Sequence, residues 1–438
     1  MTMTVHKAPS QLLAARLQIP PIPYSHAAGS WVYASDGTRY LDGASGIVNV
    51  NIGHAHPTVV DALRDQVGIC TYASPGTFAP DLMEQLAAAT ARAVHRPDDR
   101  VMFTPTGTHA TESAIALARL VQRARGETGR HKILTSSLGY HGNSAFVLAL
   151  SGHRSRRPHE DDSFGLAPAF NPPYPGQHLD CPFPVCRVEC VQAVRDAIVE
   201  AGPESVAAVL MEPVNGTTGG GYVPPAGYLR ALREVCDEYG VLVIHDEVLT
   251  GLGRTGLPLA SHHTPGSAAD IVTLSKGLGA GYVPLAATMI AAELAEEILS
   301  GGTWLPLMGT MSATPLQGRA GLAVLSVLDD LGALDRDEVR GGALSRLVTA
   351  AVRDQPLVKD VRGLGYFYGI ELAKGTIGDV MRITRSRGLL LYPYVGFRPG
   401  GGGEGLLVAP PLNATDADLD FLGETLRTSL DRLGEGVE

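Results

Sequence analysis

Three charged residues close apolar runs in this chain: Glu212 after VAAVLM, Asp246 after VLVIH and Lys276 after DIVTLS. Each run has the length of a buried strand. A lysine is costly there, because an ammonium ion taken out of water without a partner loses several kcal/mol. Gly277, Gly279 and Gly281 follow it and leave little side-chain bulk nearby. An amine in such a place can serve as a nucleophile toward a carbonyl, since apolar or cationic surroundings ease its deprotonation. A carboxylate such as Asp246 can keep a nearby ring nitrogen protonated, because opposite charge favours the charged form. A single strand-end acid is ordinarily a capping or salt-bridged residue, and Asp246 with Lys276 could be a structural ion pair. That alternative gives no reason for the glycines.

The stretch TPTGTHATESAIALAR joins a strand to a helix through Thr106, Gly107 and Thr108. A glycine lets backbone N–H groups approach an anion, and the helix start favours negative charge. The stretch lacks the dinucleotide glycine signature and the lysine of a triphosphate-binding loop. Alone it reads as a plain helix cap. Beside a strand-end lysine and aspartate it points to a phosphorylated aldehyde, pyridoxal phosphate, whose chemistry needs all three parts.

These residues require a scaffold that gathers strand ends. Apolar runs alternate with helical stretches, the pattern of a mainly parallel sheet covered by helices. Strands are predicted at 101–107, 132–137, 206–213, 241–248 and 270–276. Between two of them, Tyr228, Leu232, Val235 and Tyr239 recur at helical spacing, with Gly240 as a stop. In such sheets ligands collect outside the carboxyl ends of the strands, so Lys276, Asp246 and Glu212 are expected to share a crevice. Turn signals such as SDGT mark residues 1–75, and residues 331–438 mix helices with glycine breaks. The division expected is a large domain over 76–330 and a small α+β domain built from both chain ends.

With 438 residues, 45% hydrophobic and 18% charged, the chain can bury a large core and hold two or more lobes. Its net charge of −10 and pI near 5.8, with no basic block, argue against nucleic acid as a partner. No apolar run has the length of a membrane span, and the N-terminus lacks signal-peptide features, so a cytoplasmic location is expected. Five cysteines make a disulfide framework unlikely to be the organising principle. Cys181, Cys186 and Cys190, with His178 upstream, follow a C-x4-C-x3-C spacing that matches no common zinc module. They are read as reduced thiols in a long loop, with no metal site expected.

From about residue 24 to residue 425 the sequence resembles the class-III aminotransferases of pyridoxal-phosphate fold type I, nearest the ω-aminotransferase branch. The resemblance is carried by MEPVNGTTGGGYVPPAGYL, HDEVLTGLGRTG and ADIVTLSKGLGAGYVPLAA, with LDGASGIVNVNIGHAHP and GYHG in support. It implies an α/β fold with a mainly parallel seven-stranded sheet and a ping-pong transfer of an amino group through Schiff bases. The donor would be an amine or amino acid, and the acceptor a keto acid, ketone or aldehyde. By resemblance, Lys276 is the Schiff-base lysine, and Asp246 the partner of the ring nitrogen. Tyr140 and Val248 would flank the ring, Gly107 and Thr108 would hold the phosphate, and Glu212 would stand behind the ring oxygen or Asp246. Thr310 would reach the phosphate of a neighbouring subunit, which implies a homodimer with shared active sites. A lone surface threonine is the other reading of Thr310, and Pro315 at the family's spacing favours the first.

The chain also departs from the family. Leu249 stands where a glutamine is frequent, and LMGTMSATPLQG replaces a histidine- and aromatic-rich stretch around Thr310. Arg398 precedes four consecutive glycines, Gly400 to Gly403, and is either an exposed loop arginine or a mobile clamp for a substrate carboxylate. Val48 takes the place of a bulky aromatic and would enlarge one side of the substrate pocket. Aminomutase, racemase and decarboxylase relatives share the scaffold and stay open as alternatives. A non-catalytic cofactor-binding protein is a third reading, against which the retained Lys276 and Asp246 argue.

Overall fold

The computed structural model describes residues 21–434, apart from 75–76, 79–80, 137, 153–190, 303–308, 336–340 and 397–402. The described residues open with an antiparallel meander, β1 (Tyr24–Ala28), β2 (Trp31–Ala34) and β3 (Arg39–Asp42). SDGT forms the turn between β2 and β3: Asp36 Oδ1 accepts from Thr38 N at 2.9 Å, and Gly37 takes a φ of 88° that favours glycine.

The central sheet comprises β4 (Arg100–Thr104), β5 (Lys132–Thr135), β6 (Val206–Met211), β7 (Leu242–Asp246), β8 (Ile271–Leu274) and β9 (Ala286–Ile290). Their order across the sheet is β4-β9-β8-β7-β6-β5. Strands β5 to β8 pair in parallel, and β9 runs antiparallel to both of its neighbours. Thus β4 through β8 all end on one edge, and β9 begins there. Five predicted strands are present, each two or three residues shorter than expected because the chain turns away at its functional end. The seventh strand implied by the resemblance is not among the described residues, where the central sheet has six.

Both faces of this sheet are covered, as its continuous apolar strands require: every residue of β6, β7 and β8 is buried. The helix Gly107–Ala124 lays Ala110, Ala114, Ile115, Leu117, Ala118 and Val121 on one face at helical spacing. Each buried Leu, Ile or Val in this layer contributes about 1.5–3 kcal/mol. The helix Tyr228–Tyr239 buries Leu232 and Val235 as predicted, and Gly240 ends it in the left-handed conformation with φ 66°.

A second antiparallel sheet lies near the C-terminus, with β10 (Val358–Leu364), β11 (Phe367–Leu372), β12 (Leu389–Leu390), β13 (Tyr392–Val395) and β14 (Glu404–Val408) as the remaining strands. Four of them pair in the order β10-β11-β14-β13, while β12 joins the N-terminal meander, parallel to β3. The two ends of the chain therefore share a sheet. Among the described residues no helix is long and apolar enough to cross a membrane.

Candidate active site

A cavity of about 540 Å³ opens at the edge where β4 to β8 end and β9 begins. That topology explains its walls. Segments following β4 and β5 bring Gly107, Thr108, Tyr140 and His141, the ends of β6 to β8 bring Glu212, Asp246 and Lys276, and the approach to β9 brings Pro284 and Leu285.

Asp246 is 4% exposed at the end of β7. Its Oδ1 accepts from Thr273 Oγ1 at 3.2 Å and from the Val248 backbone at 3.1 Å. Its Oδ2 lies 2.8 Å from Nδ1 of buried His141. A carboxylate held by neutral donors and an imidazole keeps its orientation while still facing the cavity. His141 Nε2 is buried without a hydrogen-bond partner and lies against Gly139, where a Cβ would come within 2.5 Å of it.

Glu212 stands one strand away. Its Oε1 accepts from Tyr140 N and Asn215 Nδ2, each at 3.0 Å, and its Oε2 from Gly216 N at 2.7 Å. Burial nonetheless pushes its pKa up to about 7, against the pull of His141. Leu249 contributes to that dryness: a Cβ on Gly216 would lie 2.9 Å from both Leu249 Cδ1 and Glu212 Oε2.

The helix start at Gly107 has the features of an anion cradle. Thr106 caps it by accepting from His109 N, leaving the N–H groups of Gly107 and Thr108 with no acceptor inside the helix. Gly107 has no room for a side chain, since a Cβ would sit 2.9 Å from Val248 Cγ1. Thr108 Oγ1 donates to Asn143 Oδ1 at 3.0 Å.

Lys276 is half-buried and opens a short 3₁₀ turn, with its carbonyl accepting from Ala280 N at 2.8 Å. Its φ of 20° lies in a sparsely populated region that costs on the order of 1–3 kcal/mol and needs support from its surroundings.

The structure thus brings Lys276, Asp246, Glu212, Tyr140, Val248, Gly107 and Thr108 to one cavity. Val48 is elsewhere. It is fully buried with Val214, Leu249 and Phe367, and the flanking Ile47 and Asn49 line the cavity instead. The short helix Ser45–Val48 is irregular, with Gly46 at φ 66° and Val48 at φ 58°, which turns the expected side chain inward. Thr310 is exposed and does not line this chain's own cavity. Pro315 is the first residue of the helix Pro315–Asp330, capped by Thr314. Arg398, Cys181, Cys186, Cys190 and His178 lie outside the described residues. His141 is the residue that the sequence reading overlooked. GYHG drew attention to its tyrosine, and nothing in the spacing ties the histidine to Asp246, 105 positions away.

An electron-withdrawing, phosphorylated aldehyde fits these residues. The helix start, with the N–H groups of Gly107 and Thr108 left over, suits a phosphate, the fixed carboxylate suits a protonated ring nitrogen, and the lysine shares their cavity.

Comparison with known proteins agrees. The class-III aminotransferase family model matches residues 13–430. An uncharacterised aminotransferase of Bacillus subtilis is 33% identical over 414 residues, covering 91% of this chain and 92% of that one. The 5-aminovalerate aminotransferase of Pseudomonas putida is 32% identical over 423 residues, 92% of each chain. The crystal structure of an amine transaminase from an uncultivated Pseudomonas species, in its PLP-bound form, superposes with a TM-score of 0.85 at 29% identity, covering 98% of this chain and 99% of that one. With a whole-chain family match and a cavity built of the parts such chemistry needs, the chain belongs to the class-III aminotransferases, which depend on pyridoxal phosphate.

Proposed function

We propose that this aminotransferase works through Lys276 and Asp246 on amino donors with apolar substituents. The observation that carries the reading is the meeting of Lys276, Asp246, Glu212 and the Gly107–Thr108 helix start in one cavity. When bound, pyridoxal phosphate supplies an aldehyde for the donor nitrogen and a ring that draws electrons from the donor carbon. Lys276 would hold the cofactor's aldehyde through its Nζ, and the same amine would serve as the base for the proton on the donor carbon. Asp246, oriented by His141 and Thr273, would hold a proton on the ring nitrogen. Tyr140 and Val248 would flank the ring, and Gly107 and Thr108 would hold the phosphate. Glu212, its pKa pushed up to about 7 by burial, would stand behind the ring oxygen or Asp246.

Leu249, Ile47, Val283, Pro284 and Leu285 give the cavity apolar walls, which favour donors with an uncharged alkyl or aryl group. A carboxylate-bearing acceptor would be held by Arg398. Mixing the purified enzyme with panels of amines and amino acids tests this. Loss of the cofactor's visible band with release of a ketone or aldehyde supports transamination, and racemisation without carbonyl product contradicts it.

The assembly is read as a homodimer of cytoplasmic enzyme, with small domains built from residues 1–75 and 331–438 around the central part. Ile69, Phe78 and Met311 are exposed at 74%, 62% and 58%, apolar side chains of the kind a second copy would cover. Thr310, beside Met311, would then approach the phosphate of the partner's site. An obligate interface of this kind buries on the order of 2,000 Å² or more. Sedimentation should give a dimer at assay concentration, and an active monomer would contradict the shared site.

A further inference from the structure

The largest fully buried side chain among the described residues is charged: Arg254, in the turn after β7. Its hydrogen-bond acceptors among the described residues are all neutral oxygens. Nη1 donates to the carbonyls of Tyr366 at 3.2 Å and Pro410 at 2.6 Å, and Nη2 to Asn51 Oδ1 at 2.8 Å and Ser45 Oγ at 3.4 Å. Burial lowers its pKa to about 9, so it remains a cation at neutral pH. With the Asp42 carboxylate near but no direct ion pair among the described residues, a buried guanidinium is an expensive way to join chain segments, unless its fork holds something in a required orientation.

Asn51 is what it orients. This residue is 1% exposed, and its carbonyl oxygen is taken by Arg254, which leaves its Nδ2 pointing the other way. That nitrogen is buried with no hydrogen-bond partner. A Cβ on Gly277 would lie 2.5 Å from it, and 3.5 Å from Cβ of Leu252. Leu252 belongs to the same turn as Arg254. The turn therefore closes on the backbone just after Lys276 from two sides, directly through Leu252 and by way of Asn51. The unusual φ at Lys276 needs such a constraint, because a sparsely populated conformation persists only where its surroundings over-determine it.

We propose that Arg254 and Asn51 are positioning residues that clamp the backbone at Gly277 and so fix where Lys276 presents its amine. The proposal rests on the reading of Lys276 as the cofactor-linking residue. Its test uses the cofactor-loaded enzyme, following the pH midpoint of the visible absorption band together with thermal unfolding. Asn51→Ala and Arg254→Lys should each move that midpoint by about half a pH unit or more, since the amine's surroundings change. Both should lower kcat about tenfold with little change in the donor KM, as expected for an interaction felt mainly in the transition state. Gly277→Ala should also shift the midpoint by forcing the Asn51 amide aside. Combined with Asn51→Ala it should move the midpoint no further than Asn51→Ala alone, a non-additivity that a general loss of stability would not produce. If Arg254→Lys does not fold, the Asn51 and Gly277 variants carry the test. Lower melting temperatures with an unchanged midpoint would make the clamp purely structural and overturn the proposal. A wild-type enzyme with no lysine-dependent band would contradict the Lys276 reading itself, and this proposal with it.

Discussion

The two faces of β7 treat neighbouring polar residues differently. Asp246 faces the cavity and is held by Thr273, Val248 and His141. His245, one residue earlier, projects to the opposite face, fully buried, with neither ring nitrogen partnered. Burial, with Arg96 and Arg233 adding to it, lowers the His245 pKa to about 3, so the ring stays neutral. On one face a carboxyl group is held and aimed, whereas on the other an ionisable ring is reduced to packing. The sheet thus separates chemistry from core within a single residue step, and substitutions on its two sides should differ in kind.

The largest effect is expected at Lys276. Lys276→Ala should leave the fold intact and lower turnover by a factor of about 10³ or more, since on the proposed reading both the tether and the proton-moving base are lost. Steady-state assays with the best donor check this. Asp246→Asn should come next. The variant should still bind the cofactor, yet slow proton abstraction by about 10²-fold in single-turnover measurements, the lower range for removing a positioned acid–base partner. Near-normal rates would remove the electron-sink role assigned to it. At Gly107 the effect should fall on affinity. Gly107→Ala sets a methyl 2.9 Å from Val248 Cγ1, and equilibrium titration should show cofactor binding weakened about tenfold, or about 1.4 kcal/mol.

The far face should answer to pH instead of to turnover. His245 has a folded pKa below its unfolded value, so the unfolded chain takes up the extra proton. Its contribution to stability is present above about pH 6.5 and is lost as pH falls toward about 3. His245→Leu should leave kcat near wild type. Between pH 7 and pH 5 it should lose about 2 kcal/mol less stability than wild type in urea unfolding, from roughly 1.5 pH units of linkage. Equal pH slopes would show that the imidazole reaches water.

Much of this arrangement is legible in the sequence because it is local. Apolar runs ending in Glu212, Asp246 and Lys276 fix strand ends, and one sheet edge follows from their shared direction. Gly240 and the SDGT turn were readable because left-handed backbone favours particular residues. Contacts made by the fold itself were not readable. His141 meets Asp246 only after β5 and β7 join the same sheet, and Arg254 meets Asn51 across 203 positions. Val48 shows a subtler limit, since a local kink decides whether it or Ile47 looks into the cavity.

The most direct test of the account is to trap the cofactor on the chain. Reduction of the loaded enzyme with borohydride, followed by proteolysis and mass spectrometry, should place the cofactor's mass on the peptide containing Lys276 and leave other lysines unmodified. Stoichiometric label at a different lysine, or none on an enzyme that is active and carries cofactor, would contradict it.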